Sequence, residues 1–230
     1  MEQIYTIPIN EAFEASAHDG TSCPFCIIRK KFEENEIELI LGASAMEPDV
    51  RIKTNERGFC ADHFSKMLKR GKKLPVALML ESHLDTVCGK LRGKSVLPGF
   101  KAKSASSALS VLSRSCYLCD RLDENFGRVM ENAIYMWRSD SSFRNLFSRQ
   151  RAFCVPHAAS LLEFASKNLK SSEFGTLCSA VRAVQEDYLA REREKISRFI
   201  KKFDYRYEDE PWGDAKEAVE DAIRALRGDV

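Results

Sequence analysis

Apolar residues return at spacings of three and four along most of the chain, and no strand-rich stretch appears after residue 10. In the first half the pattern predicts a short helix from Asn10 through Phe13 to the Asp19-Gly20 loop. A longer helix runs from Cys23 through Phe32 to about Leu41, where Gly42 ends it. Residues 43–58, with Pro48 and Thr54-Asn55-Glu56-Arg57-Gly58, read as a connecting loop. A helix opening at Cys60 turns Phe64, Met67 and Leu68 inward, and another from Pro75 to about Gly89 does the same with Val76, Leu80, Leu84, Val87 and Cys88.

The second half repeats the plan. A helix from Cys116 aligns Cys119, Leu122, Phe126, Val129, Ala133 and Trp137 on one face. A short helix over 141–149 follows, then one after Cys154 with Leu161, Leu162 and Ala165 inward. A long helix begins near Ser172, places Leu177, Val181 and Tyr188 at core spacing, and ends in the charged, solvated run Arg191 to Lys195. An aromatic and acidic connector, Asp204 to Gly213, leads to a last amphipathic helix from Asp214 to Leu226. The expected fold is all-α, built of two duplicated helical halves. Their bounds are 1–92 and 108–203, joined by a basic linker at 93–107 and followed by a C-terminal segment at 204–230.

Composition changes this picture little. A chain of 230 residues with 44% hydrophobic and 30% charged residues is ordinary for a folded domain. No apolar run approaches the ~20 residues of a membrane span. Net charge is +2, but it is uneven: residues 1–50 carry 3 Lys/Arg against 10 Asp/Glu, and residues 51–104 carry 13 against 4. The basic part, with Lys69, Arg70, Lys72, Lys73, Lys90, Arg92, Lys94, Lys101 and Lys103, is a candidate nucleic-acid face within residues 66–103; a solvated helix face is the plainer reading.

The cysteines carry the chemistry. Cys23 and Cys26 form a C-x2-C pair, and Cys60 and His63 a C-x2-H pair. Cys116 and Cys119 follow the first pair by 93 residues, and Cys154 and His157 follow the second by 94. Ligands three residues apart share one face of a helical turn, and three cysteines with one histidine form a common zinc ligand set. A helix N-terminus favours thiolate over thiol, and Pro24 suits a first turn. Matching runs, Arg57-Gly58-Phe59 and Arg151-Ala152-Phe153, place an aromatic before each third ligand, where it would shield an ion from water. Pairing within each repeat is the simplest assignment, and a crossed pairing, C-x2-C of one half with C-x2-H of the other, fits the spacing too.

Other chemistries compete. Disulfides suit oxidising compartments, whereas Met1 to Asn10 does not read as a secretory signal, so a cytoplasmic setting and bound metal are expected. Cys-Pro-Phe-Cys resembles a glutaredoxin motif but lacks the preceding strand. Ile27 and Asp120 stand where haem attachment requires His. An iron–sulfur cluster with one His ligand is the alternative cofactor to two Zn2+ ions. Cys88 reads as a small buried hydrophobe, His83 as a structural histidine, and Asp62 as a residue supporting the metal site or capping its helix rather than a base.

Beyond the ligand pairs, Met46-Glu47-Pro48-Asp49-Val50-Arg51-Ile52, Phe203-Asp204-Tyr205-Arg206 and Pro211-Trp212-Gly213 make the chain similar, over nearly its whole length, to an uncharacterised bacterial family, domain of unknown function 6062. Some members are labelled substrate-binding proteins of ABC transporters, a label that the missing export signal and α/β periodicity do not support here. The resemblance implies no activity. With four candidate ligands at each site, no phosphate-binding loop and no nucleophile elbow, a non-enzymatic, zinc-stabilised interaction or regulatory module with a protein partner is expected. A thiol or iron–sulfur redox protein is the alternative.

Overall fold

A computed structural model describes residues 5–92, 106–207 and 209–228, and among these there are helices and turns but no strand. The helices are α1 (Thr6–Asp19), α2 (Pro24–Ile40), α3 (Pro48–Arg57), α4 (Ala61–Lys69), α5 (Lys73–Arg92), α6 (Tyr117–Ser139), α7 (Ser141–Ser148), α8 (Val155–Asn168), α9 (Ser171–Lys201) and α10 (Ala218–Arg227). Short 3-10 turns cover Ala43–Met46, Tyr205–Tyr207 and Gly213–Glu217, and residues 106–112 are helical.

The chain forms two compact units, one of residues 1–30 with 126–230 and one of residues 31–125. They do not coincide with the two sequence repeats, and the expected linker falls mostly on residues 93–105, outside those described. α2 and α6 contribute residues to both units.

The discontinuous unit packs a phenyl cluster at its centre. Phe13 of α1 meets Phe25 edge-on at 5.4 Å between ring centroids and Phe143 at 4.9 Å, and Phe147 meets Phe153 at 5.2 Å. All five rings are buried, and such pairs add about 0.5–1.5 kcal/mol each beyond their area. Gln150 closes the same region by donating to the Phe13 carbonyl. α9 lies along α8 and α10, with Leu177, Val181 and Tyr188 buried.

The continuous unit has its own core of Ile37, Ile40, Leu41, Met67, Val76, Met79, Tyr117 and Leu118. The structure corrects several sequence expectations, beginning with Leu68 of α4, which is exposed rather than turned inward. Residues 48–57 are a helix rather than a loop: Pro48 occupies its first position, where the missing N–H costs nothing, and Asp49 lies in its first turn. On α5 the buried face holds Val76 and Met79, while Leu84 and Cys88 are exposed. In the other unit, Glu192 lies in the supposed solvated run of α9 yet is only 3% exposed, paired with Lys195 at 2.9 Å.

Candidate metal centres

Each ligand pair opens a helix in the same way. Cys23, Cys60, Cys116 and Cys154 immediately precede the first residues of α2, α4, α6 and α8, while Cys26, His63, Cys119 and His157 are the third residues of those helices. These are the positions of a capping box, whose two side chains meet over the free N–H groups of the first turn. At Cys116 the sulfur accepts a hydrogen bond from the Cys119 backbone N–H at 3.5 Å.

The structure gathers all eight residues into two clusters, and in each the ligating atoms lie within 4.8 Å of one another. Cys23 and Cys26 meet Cys154 and His157; Cys60 and His63 meet Cys116 and Cys119. Pairing within each repeat is therefore corrected to the crossed arrangement: each site takes C-x2-C from one copy and C-x2-H from the other. Spacing gives little guidance between the two pairings. Closing the 128 residues between Cys26 and Cys154 costs only about 1 kcal/mol more chain entropy than a loop a quarter as long, because the cost grows with the logarithm of length.

In the first site His157 Nδ1 lies 3.7 Å from Cys23 Sγ, 3.3 Å from Cys26 Sγ and 3.1 Å from Cys154 Sγ, and the sulfurs of Cys26 and Cys154 are 3.7 Å apart. In the second, His63 Nδ1 lies 3.2 Å from both Cys60 Sγ and Cys116 Sγ and 3.5 Å from Cys119 Sγ, with Cys60 and Cys119 sulfurs 4.0 Å apart. Zinc bonds of about 2.3 Å to sulfur and about 2.0–2.1 Å to nitrogen set tetrahedral edges of roughly 3.5–3.8 Å, so the separations suit one ion per cluster. A disulfide needs about 2.05 Å, and none joins any of the eight cysteines, all of which are among the described residues.

The electrostatics also fit a cation. In the first site burial pushes the Cys23 thiol well above its usual range. Hydrogen bonding from Cys154 and Cys23 pulls Cys26 far down. Cys154, though its bond to Cys23 acts the other way, is pushed up to about 12 by Cys26 and by burial. In the second site burial pushes Cys119 up to about 12 and raises Cys116 as well. A divalent ion would permit all three thiolates where the protein alone disfavours them.

The surroundings of the two sites differ. At the second, His63 turns Nε2 to Glu33 Oε1 at 3.1 Å, which leaves Nδ1 free to ligate if the proton sits on Nε2. Burial lowers the His63 pKa, against the opposing charge of Glu33, and so favours the neutral ring. Glu33 also takes both its oxygens to Lys66, at 2.8 and 3.0 Å, and Lys66 reaches Asp62 at 3.0 Å. Glu33, Asp62 and His63 thus cluster around an ammonium group already in place. At the first site the His157 ring packs 4.8 Å from Phe126 and 6.1 Å from Phe25.

The chain before each C-x2-H pair is tethered. Gly58 accepts from the Tyr117 N–H at 2.9 Å and Arg57 from the Ser115 hydroxyl at 2.6 Å; Phe153 accepts from Gln185 at 2.7 Å. Gly58 has φ +61°, and a Cβ there would come within 2.7 Å of His83 Nε2, which explains the glycine and gives His83 its structural place. Sequence reasoning missed Glu33 and Gly228, and placed Tyr188 in the core without its link to the first site through the Thr21 carbonyl. Glu33 lies in an acidic run whose members look alike in sequence, and the other two reach the first site only through tertiary packing.

Helices that carry two sites of three thiols and one imidazole define an all-α protein with a pair of candidate metal centres. The chain belongs to a family of unknown function (DUF6062), whose model matches residues 1–230. No curated protein and no solved structure matches it.

Proposed function

We propose that this is a zinc-stabilised helical protein of the bacterial cytosol that acts as an interaction or regulatory module rather than as an enzyme. The observation that carries the reading is closure: each cluster already offers four soft ligands from two helix N-termini, whereas a catalytic zinc keeps one position for water or substrate. Cys23, Cys26, Cys154 and His157 would hold one ion, and Cys60, His63, Cys116 and Cys119 the other. The ions would act as cross-links, each tying segments far apart in sequence. Structural zinc supplies roughly 10–16 kcal/mol in small zinc domains, far above the loop-closure cost. No helix among the described residues is long and apolar enough to cross a membrane.

Exposed apolar side chains at the end of α9, Ile200, Phe203 and Tyr205 at 64%, 76% and 85%, support the reading of a protein partner. The nucleic-acid reading is less favoured, because part of the basic region is used internally. Arg70 and Lys72 pair with Glu38, and Lys66 with Glu33 and Asp62, so acidic residues of α2 meet the basic stretch that follows. Elemental analysis of the purified full chain tests the metal reading. Two zinc per chain in a colourless protein is expected; a brown protein containing iron and sulfide supports the iron–sulfur alternative, and absence of metal removes both.

A further inference from the structure

We propose that the site of Cys60, His63, Cys116 and Cys119 is a peroxide-responsive thiol switch, in which Cys60 and Cys119 join as a disulfide and release the ion, while the other site stays closed. The inference rests on the metal reading above and deepens it.

The two sites share a ligand set but not an environment. Cys23, Cys26 and Cys154 are 5%, 5% and 1% exposed, and Pro24, Phe25, Ala152 and Phe153 beside them are buried. The first site also has a lid. Gly228, at φ +83° just past α10, lies so close that a Cβ would come 3.7 Å from both Cys26 Sγ and Cys154 Sγ. Tyr188, buried, donates to the Thr21 carbonyl two residues before Cys23. In the second site Cys116 and His63 are buried, but Cys60 and Cys119 are half-buried, and Asp120 beside Cys119 faces solvent; Ala61 and Asp62 are exposed just as their counterparts Val155 and Pro156 are at the first site. The aromatic before the third ligand repeats the contrast: Phe153 is fully buried, whereas Phe59 is only half-buried.

The sulfurs of these two half-buried cysteines are also 4.0 Å apart, on one edge of the ligand set, so a small closing movement joins them. The chemistry balances with hydrogen peroxide as oxidant. One thiolate attacks a peroxide oxygen, the O–O bond breaks, and the departing hydroxide takes a proton to become water, leaving a sulfenic acid. The second thiolate attacks that sulfur, the S–O bond breaks, and a second hydroxide leaves as water once protonated. Two sulfurs lose two electrons, the peroxide gains them, and Zn2+, now held by His63 and Cys116 alone, departs. A dithiol supplies two electrons and two protons for the reverse step. The new S–S bond keeps the segments around residues 60 and 119 tied, while His63 gives up the ion and keeps its bond to Glu33, so the event releases metal without severing the chain's cross-link.

The test uses the full chain with its metal content measured first. Hydrogen peroxide is added with a chromogenic zinc indicator, and isotope-coded alkylation with mass spectrometry reports each cysteine. One zinc per chain should be released at least about tenfold faster than the other, together with a Cys60–Cys119 disulfide, and dithiothreitol with added zinc should restore the starting state. Cys119→Ser should remove the fast disulfide while the chain retains the zinc of the first site. Release of both ions at one rate, earlier oxidation of Cys23, Cys26 or Cys154, or fast release without that disulfide overturns the proposal. If the protein carries no zinc, the metal reading fails on its own. The alkylation map still decides the accessibility on which the switch depends: equal reactivity of all six cysteines overturns it.

Discussion

Eight residues define the two clusters, and each was legible because a cap position and the third helical residue are only three apart in sequence. Cysteine and histidine at that spacing, twice over, leave few other chemistries. The residues that support them were not legible, since their partners are distant in the chain. Glu33 is the clearest case, reaching His63 from 30 residues away. Replacing it, Glu33→Gln, should weaken zinc at the second site by about 10–100-fold and leave the first unchanged, as read by chelator competition on the two ions separately. Gly58 was visible in a matching run but not its reason. Gly58→Ala should cost about 2–4 kcal/mol, from its left-handed backbone and the clash with His83, in urea unfolding; His83→Ala in the same chain should restore part of the loss.

Among the elements, long amphipathic helices could be read closely, as α2 and α9 show. The error at residues 43–58 came from treating Pro48 as a breaker, although proline at a first helical position is compatible with a start. A charged run posed a different difficulty in α9, because its sequence pattern cannot reveal that α10 covers one side. There Lys195 bridges Glu192 and Asp221 at 2.9 and 3.1 Å, with its own side chain 12% exposed, and Arg224 pairs with Asp221 as well. Removing the lysine leaves a buried carboxylate without its cation, so Lys195→Met should lower stability by about 3 kcal/mol. Adding Glu192→Leu should recover most of it. Equal losses in the single and double variants would show that the pair does not act as a unit.

For the whole molecule, duplication was readable but the way its halves combine was not. Equal offsets place both pairings on the same footing, and loop entropy separates them by about 1 kcal/mol, well below what a bound ion supplies. The result is a nested chain. The ligand pairs of the second site, at 60–63 and 116–119, lie between those of the first, at 23–26 and 154–157. The first site therefore joins the two chain segments of the discontinuous unit, and the second joins segments within the continuous one. This crossing is the claim on which the account stands. Cysteine-resolved alkylation of the metal-loaded Cys154→Ser variant tests it most directly. Crossed pairing predicts that Cys23 and Cys26 become reactive while Cys116 and Cys119 keep the protection they have in the parent protein. Exposure of Cys116 and Cys119, with Cys23 and Cys26 still protected, would contradict it.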